Sequence, residues 1–166
     1  FCRLLLIAGN ETTTGLITAS ARVFHEQPKI LAQLKQQPEL SGPFVEETLR
    51  YYSPFSATVR RTTKEVELAG QTIGAGELVL PLIASANRDE RVFDAPDRFQ
   101  IDRTPNPHLG MGFGIHFCLG AHLARLEGRV VVEQMAERYA RVALAKPETA
   151  TVGNLGGPKE LAIKVG

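Results

Sequence analysis

The sequence predicts a mainly α-helical chain with small β elements, and three observations carry that prediction. Helical signals cover residues 1–24, 41–53 and 119–133. Strand-like segments are short and are separated by glycines between residues 65 and 83. The chain has 166 residues, of which 43% are hydrophobic, so it is large enough to bury one core. We therefore expect several helices around one core, with strands only at its margin.

The first helix is predicted to run to about Phe24, and it contains an unusual run of small and polar residues. That run is Ala8-Gly9-Asn10-Glu11-Thr12-Thr13-Thr14-Gly15. A glycine inside a helix costs up to ~1 kcal/mol relative to alanine, so another demand must offset that cost. Threonine hydroxyls can donate to carbonyls one turn earlier, and an acid beside an alcohol suits proton delivery. The alternative is that Gly9 permits close helix packing and that Glu11 is solvated.

A second helix is predicted to begin at Ser41-Gly42-Pro43 and to end before Ser53-Pro54. A serine cap followed by an early proline is typical of a helix start. Within this helix Glu47 and Arg50 have i,i+3 spacing, which puts them on one face. An exposed ion pair of this kind stabilises a helix by only ~0.2–0.5 kcal/mol.

Strand-like pieces follow at residues 65–68, 71–73 and 78–83, and the stretch 96–108 is rich in proline and predicts a loop. Arg60 and Arg61 precede the first strand, and by composition alone both are interpreted as surface residues. A glycine-marked turn at Gly153, Gly156, Gly157 and Pro158 leads into a last alternating strand at 161–165.

Cys118 lies where the glycine-rich stretch 110–120 becomes a helix. A thiolate there would be stabilised by the positive end of the helix dipole and by backbone N–H groups of the loop. The alternative is an ordinary buried cysteine. After it, the apolar residues Leu119, Leu123, Leu126 and Val130 recur at helical spacing, which predicts that they face the core. The polar residues His122, Arg125, Arg129 and Glu133 are expected on the helix surface.

Composition and charge exclude several classes of protein. The formal net charge of +1 gives no basis for binding nucleic acid. The uncharged apolar runs 4–8 and 78–86 are much shorter than the ~20 residues that cross a bilayer, so no membrane insertion is expected. With only Cys2 and Cys118 no disulfide framework is indicated, and we expect a reducing, cytoplasmic location. The sequence contains no phosphate-binding loop, no dinucleotide fingerprint and no second ligand pair for structural zinc.

The cysteine loop resembles the haem-binding loop of the cytochrome P-450 superfamily, Phe-Gly-x-Gly-x-His/Arg-x-Cys-x-Gly. The matching positions are Gly112, Gly114, His116, Cys118 and Gly120. Met111 stands at the usual phenylalanine position, where a flexible thioether can fill similar apolar space. The resemblance implies that Cys118 is the axial ligand of the iron of haem b. Phe113, within the same loop, is implied to contact the haem.

Two further segments resemble the same family. Ala8, Gly9, Glu11, Thr12 and Thr13 match its oxygen-activation motif. The resemblance implies that Ala8 and Gly9 contact the haem, that Thr12 steadies bound dioxygen and that Glu11 relays protons. Glu47 and Arg50 match a Glu-x-x-Arg signature whose charges are buried with an arginine from a later loop, here Arg98 in Pro96-Asp97-Arg98-Phe99. That triad is expected to brace the cysteine loop, and its loss to destabilise the protein.

The resemblance also assigns the remaining residues near the cofactor. Arg60, with Arg61 as the alternative, and His116 are implied to bind the haem propionates. Arg103 and His108 are implied to lie near the cysteine side of the haem. Residues around the substrate pocket are implied to be apolar, and these are Leu4, Leu5, Ala8, Phe55, Ala57 and Val59.

The family resemblance covers nearly the whole chain and implies a soluble bacterial type of haem-thiolate monooxygenase. Residues 1–166 are expected to be the C-terminal part of a single haem domain, because the chain begins at Phe1 directly before an apolar run without a capping residue. The implied reaction is hydroxylation or epoxidation of a hydrophobic small molecule. It uses dioxygen and two electrons from a ferredoxin or similar donor. One alternative is a truncated, non-catalytic haem-binding remnant. The other is a peroxygenase-type relative, and the presence of the pair Glu11-Thr12 argues against this second alternative.

Overall fold

A computed structural model describes residues 2–146 and 161–166, and within those ranges it is mainly helical with small antiparallel sheets. The α-helices are α1 (Cys2–Glu26), α2 (Pro28–Gln36), α3 (Ser41–Tyr52), α4 (Ile83–Ala86) and α5 (Ala121–Arg138). The strands are β1 (Arg60–Arg61), β2 (Val66–Leu68), β3 (Gln71–Ile73), β4 (Leu78–Val79), β5 (Val142–Leu144) and β6 (Ile163–Val165). Single 3₁₀ turns occupy Pro38–Leu40 and Gly114–His116. The predicted turn at Gly153, Gly156, Gly157 and Pro158 lies outside the described residues.

The core lies between α1, α2, α3 and α5 and is built around aromatic rings. Phe24 of α1 stacks on Phe44 of α3 with ring centroids 5.2 Å apart. Phe99, from the loop after α4, packs on Phe44 at 5.6 Å. Leu16 of α1 and Leu31 of α2 belong to the same buried cluster. Burying such side chains stabilises a fold by ~1.5–3 kcal/mol each, which explains why the helices associate.

Helix α5 approaches α1 and α3 through its small residues. A Cβ atom on Gly128 would lie 2.8 Å from Leu16 Cδ2 and 3.4 Å from Val45 Cγ2. The buried residues of α5 are Ala121, Gly128, Val132 and Ala136. Glycine at this position therefore allows three helices to meet closely.

The predicted orientation of α5 is wrong, because its long apolar residues do not face the core. Leu119, just before α5, is 96% exposed, Leu123 is 57% exposed, and Leu126 and Val130 are exposed too. The hydrophobic pattern identified a helix with an apolar stripe. However, the face that packs on α1 and α3 is the one with small residues, where backbones approach most closely. Within the described residues the stripe is uncovered.

The strands form three two-stranded antiparallel sheets, β1 with β4, β2 with β3, and β5 with β6. The predicted strand at 78–83 is shorter than expected, since only Leu78–Val79 pairs and Ile83 already begins α4. In β1, Arg60 is opposite Val79. This pairing fixes the segment that leads from α3 toward the cavity described below.

Helix α3 ends where the sequence predicts and begins differently. Ser53 adopts a left-handed conformation, with φ of 38°, and terminates the helix before Pro54. Ser41 does not cap the helix start. Its Oγ donates instead to Glu133 Oε1 at 2.6 Å and so joins α3 to α5. In the described ranges, no helix is long and apolar enough to cross a membrane.

Candidate functional site

A cavity of about 410 Å³ lies between α1 and the loop that carries Cys118. It brings together residues that are far apart in sequence, with Thr12 on the α1 wall and Cys118 on the loop wall. Most of its remaining surface is apolar, as in sites for small organic molecules. The predicted site residues that line it are Ala8, Thr12, Arg60, Gly112, Phe113, His116 and Cys118.

On the α1 wall, the Thr12 hydroxyl donates to the carbonyl of Ala8 at 2.6 Å, one turn earlier, as the sequence predicts. The oxygen of Thr12 keeps its acceptor capacity for a second partner. Glu11 is exposed and does not line the cavity. The structure therefore brings Thr12, and not Glu11, to the cavity wall.

Gly9 has open space around it rather than a packed neighbour. A Cβ atom there would meet only Leu5 Cδ1, at 4.0 Å. Close packing within the described residues does not explain this glycine. Gly15 differs, because a Cβ atom on it would lie 3.1 Å from Pro54. Gly9 is exposed and is not among the residues that line the cavity.

The cysteine loop is held in shape by its backbone. The Cys118 N–H donates to the carbonyl of Met111 at 2.8 Å, and its carbonyl accepts from Ala121, the first residue of α5, at 3.2 Å. Gly112 has φ of +79°, and a Cβ atom on it would lie 2.9 Å from the His116 carbonyl oxygen. Gly114 also has positive φ. Glycines are required where the loop turns this tightly.

Cys118 is exposed, so the structure excludes the alternative of an ordinary buried cysteine. Because α5 begins three residues later, the thiol lies near the N-terminal end of that helix. Gly120 precedes α5, and a Cβ atom on it would lie 4.0 Å from Cys118 Sγ. Beside the thiol, Met111 is buried in the core and also lines the cavity, which fits the predicted filling of apolar space. Phe113 is 83% exposed at the cavity edge.

The two candidate arginines at β1 point to different places. Arg60 lines the cavity and is oriented by hydrogen bonds of 2.9 Å to Thr58 Oγ1 and to the carbonyl of Val59. Arg61 instead donates to the carbonyl of Gly76. Between these two residues, Arg60 is placed to bind an anionic group in the cavity. His116 lines the same cavity from the cysteine loop.

Beneath the loop lies a buried ion network centred on Glu47 and Arg50. Both side chains are fully buried, and Arg50 donates to the two carboxylate oxygens at 2.7 and 2.8 Å. Arg50 also donates to the carbonyls of Asn87, Pro96 and Arg98 at 2.8–3.0 Å. The N–H donors of Arg50 thus all have acceptors, as a buried guanidinium requires, since an unpaired buried charge is costly.

The third member of this network is Arg103, so the assignment of Arg98 is wrong. Arg103 Nε donates to both oxygens of Glu47 at 3.1 Å, and its side chain is 5% exposed. Arg98 is exposed and contributes only its carbonyl, which accepts from Arg50 and Arg103. The turn closed by Arg98 N–H and the Ala95 carbonyl presents this backbone to the ions. The sequence does contain a signal for this partner, because Arg103 follows Arg98 by five residues in the same loop.

Two polar residues of this region lack an assigned role in the sequence analysis. Asn87 is fully buried, donates from Nδ2 to Ser53 Oγ at 2.8 Å, and accepts at Oδ1 from Leu109 N–H at 2.7 Å. Glu46 pairs with His108 and with Arg125, so Arg125, which was expected on the helix surface, is partly buried in an ion pair. Burial alone would raise the pKa of Glu46, but hydrogen bonds from His108 and Arg125 lower it to about 2. Neither residue belongs to a spacing pattern that reveals its partners.

The residues around the cavity fit a haem group. Cys118 offers an exposed thiol for an iron, Arg60 and His116 offer donors for two carboxylates, and Ala8 and Thr12 line the facing helix. This combination of a cysteine loop and a threonine-bearing helix across an apolar cavity is the arrangement of a haem-thiolate protein. In keeping with it, the family model for Cytochrome P450 matches residues 4–151, and the chain belongs to the cytochrome P450 family.

Relatives extend the comparison over nearly the whole chain. The chain is 45% identical to Cytochrome P450 109 of Bacillus spizizenii over 99% of its own length and 42% of that protein. It is 46% identical to Cytochrome P450 119 of Sulfolobus acidocaldarius, over 98% of this chain and 44% of that protein. It therefore spans less than half the length of these curated relatives.

Solved structures show the same fold. The structure of P450BioI, solved in complex with hexadec-9Z-enoic acid ligated acyl carrier protein, superposes with a TM-score of 0.92 at 40% identity. That match covers 100% of this chain and 43% of the other chain. CYP109E1 from Bacillus megaterium, in complex with testosterone, gives a TM-score of 0.87 at 42% identity, over 97% of this chain and 46% of that one. The expected mainly helical fold with small β elements is confirmed as part of the P450 fold.

Proposed function

We propose that residues 1–166 are the C-terminal part of a single haem domain, and that the full-length protein is a haem-dependent monooxygenase. The observation that carries this proposal is the placement of Thr12 and Cys118 on the walls of one cavity, in a chain of the P450 family. The reaction would be hydroxylation or epoxidation of a hydrophobic small molecule with dioxygen and two electrons. The electrons would come from a ferredoxin or a similar donor.

Each residue of the cavity has a role in this proposal. Haem b, when bound, supplies the activation of dioxygen. Cys118 would hold the iron as a thiolate, and the turns at Gly112, Gly114 and Gly120 present its sulfur. Arg60 and His116 would pair with the haem carboxylates, because charge-assisted hydrogen bonds to carboxylates are strong. Ala8, Gly9 and Phe113 would supply apolar or open contact surface.

Proton movement would involve the α1 wall. Thr12 lines the cavity and its oxygen is available as an acceptor. Its hydroxyl would therefore orient water and dioxygen in the cavity. Glu11 is exposed and next to Thr12 in the chain. It would take protons from solvent and pass them toward Thr12 through water.

The apolar walls favour a hydrophobic substrate. Leu16, Phe55 and Pro81 line the cavity, whereas Leu4, Leu5, Ala57 and Val59 of the expected pocket do not. The ligands named in the two structures above, testosterone and an acyl chain, are also largely apolar.

Both cysteines are free, and we propose a cytoplasmic location for the protein on that basis.

The exposed apolar stripe of α5 supports the proposal that more chain completes this domain. Leu119, Leu123, Leu126 and Val130 form an uncovered surface among the described residues, and Leu4 to Ile7 of α1 are exposed as well. Exposed apolar surfaces of this kind mark interaction sites, and we propose that further chain of the same domain covers this one. We therefore expect the isolated 166-residue chain to bind haem poorly. A stable stoichiometric low-spin complex with added haemin would overturn that expectation.

The decisive experiment is the carbon monoxide difference spectrum of the reduced full-length protein. A thiolate-ligated haem gives a strongly red-shifted Soret band, which Cys118→Ala should abolish. Cys2→Ala is the matched control, because Cys2 is the other free and exposed cysteine of this chain. Retention of the band in Cys118→Ala would refute the ligand assignment, and failure of the full-length wild-type protein to bind haem would favour a non-catalytic remnant. Turnover with peroxide but not with an electron donor would indicate a peroxygenase.

A further inference from the structure

The carboxylate of Glu46, on α3, lies between two residues that flank the cysteine loop. Arg125, on α5, donates from Nε to Oε1 at 2.7 Å and from Nη2 to Oε2 at 2.9 Å. His108, before the loop, has Nε2 at 3.1 Å from Oε2. One carboxylate thus receives a bidentate guanidinium from one side of the loop and an imidazole from the other.

His108 passes this contact on to the first residue of the loop. The N–H of Gly110 donates to His108 Nδ1 at 3.1 Å. Since Nδ1 acts as the acceptor, the hydrogen-bond network assigns the ring hydrogen to Nε2, which donates to Glu46. The His108 side chain is nearly buried, so water does not replace these partners readily. Gly110 is fixed relative to α3 through this imidazole.

The packing at Gly110 leaves it little freedom. A Cβ atom there would lie 2.9 Å from the carbonyl oxygen of Leu49 and 3.1 Å from His108 Nδ1. Leu49 belongs to α3, so the upstream end of the loop lies directly on the helix that carries Glu46. Both the His108 imidazole and this close approach to the α3 backbone therefore determine the position of Gly110.

At the downstream end, the partner of Glu46 lies over the residue before Cys118. The guanidinium carbon of Arg125 is 6.0 Å from the centroid of the Phe117 ring. A cation at this distance from an aromatic face is attracted to it. The bidentate pair with Glu46 orients the guanidinium that contacts the ring of Phe117.

We propose that Glu46 is a positioning residue that anchors both ends of the loop presenting Cys118, through His108 and Gly110 upstream and through Arg125 and Phe117 downstream. This positioning role rests on the proposed function of Cys118 as a haem ligand. The contacts of Glu46 themselves involve no cofactor. The adjacent Glu47 has a different task. It binds Arg103 and the N–H of Gln100, earlier in the chain than the segment that Glu46 binds.

The test is amide hydrogen exchange of the haem-free full-length protein, resolved to segments 109–112 and 115–119 and to helix α2 as a reference. Glu46→Ala should accelerate exchange in both loop segments by about fivefold or more relative to α2, because His108 at one end and Arg125 at the other lose the carboxylate that holds them. His108→Ala should act on segment 109–112 alone, and Arg125→Ala on segment 115–119 alone. This division between the two ends is not expected of a residue that only raises global stability.

Conservative and control variants sharpen the result. Glu46→Gln keeps one carbonyl oxygen and should restore protection at one end only. Glu26→Ala removes a carboxylate that binds Arg22 and Tyr52, and Arg129→Ala removes the neighbouring arginine of α5, which pairs with Glu133. Neither control should change the loop segments relative to α2.

Two results would overturn the proposal. One is equal acceleration in the loop and in α2 for Glu46→Ala, and the other is no acceleration in either loop segment. The exchange experiment needs no haem, so its outcome is separate from the proposed function. That function is tested by the Soret band of the full-length wild-type protein.

Discussion

Arg103 and Glu47 form a buried ion pair, with Arg103 Nε 3.1 Å from both carboxylate oxygens. Arg50 donates to the same two oxygens, so one carboxylate compensates two guanidinium groups. The remaining donors of both arginines bind backbone carbonyls of residues 87–98. The network therefore ties α3 to the long loop that precedes the cysteine loop.

Arg103→Ala should lower the free energy of unfolding by about 1–3 kcal/mol, because the buried Glu47 oxygens lose a hydrogen-bond donor while Arg50 still balances the carboxylate charge. Arg98→Ala is the matched control and should cost less than about 0.5 kcal/mol, since only the carbonyl of Arg98 takes part and the variant keeps it. Urea unfolding of both variants measures the difference. Equal losses would show that the Arg98 side chain belongs to the network after all.

Glu46 should make stability depend on pH in the acid range. Its pKa falls from the usual 4.5 to about 2 in the folded protein. A depressed carboxyl pKa contributes stability that is fully present above about pH 4.5 and is lost as the pH falls toward about 2. The difference in unfolding free energy between the wild type and Glu46→Gln should therefore shrink as the pH is lowered through this window. A difference that stays constant would contradict the assigned contacts of Glu46 with Arg125 and His108.

Two glycines should respond in opposite ways to alanine. Gly128→Ala should destabilise the protein by about 1–3 kcal/mol, because the new methyl group presses on Leu16 and Val45. Gly9→Ala should stabilise the haem-free protein by up to about 1 kcal/mol, because a helix prefers alanine and the space is open. Thermal unfolding compares the two. In the full-length protein Gly9→Ala should also weaken haem binding, and unchanged affinity would refute the proposed contact.

Thr13 and Thr12 should separate into a structural and a functional residue. The Thr13 hydroxyl donates to Glu127 Oε2 at 3.0 Å and joins α1 to α5. Thr13→Val should cost about 1–3 kcal/mol, because the partly buried carboxylate loses a donor. Thr12→Val removes only a bond to a helix carbonyl and should cost less, while it should lower the ratio of product formed to electrons consumed. The reverse ranking in unfolding experiments would contradict these assignments.

The uncovered stripe of α5 should matter only in the longer protein. Leu123→Gln should leave the unfolding free energy of the isolated chain nearly unchanged, because Leu123 is exposed among the described residues. In the full-length protein the same change should cost about 1.5–3 kcal/mol, as for loss of a buried leucine. Leu31→Gln, in the core, is the control that should destabilise both proteins. No effect in the full-length protein would show that the stripe stays exposed.

Local signals in the sequence predicted much of the helical structure. The end of α3 follows from Pro54, and the helix after Cys118 follows from its apolar spacing. The family match confirms that the motifs identified the right protein family. The face of α5 could not be predicted, because the helix pattern says which residues are apolar and not which of them another element covers. The strand predicted at 78–83 is longer than the observed one, because its apolar residues also suit the short helix that begins at Ile83.

The sequence by itself determined the family, the position of Cys118 on a glycine-rich turn into a helix, and the facing motif around Thr12. These features depend on short-range spacing and backbone conformation, which local residue types dictate. Only the tertiary structure decided that Arg103 replaces Arg98 beside Glu47 and that Glu46 pairs with His108 and Arg125. Those choices depend on which side chains meet across separate elements, and a charged residue can satisfy its hydrogen bonds with partners at any distance along the chain.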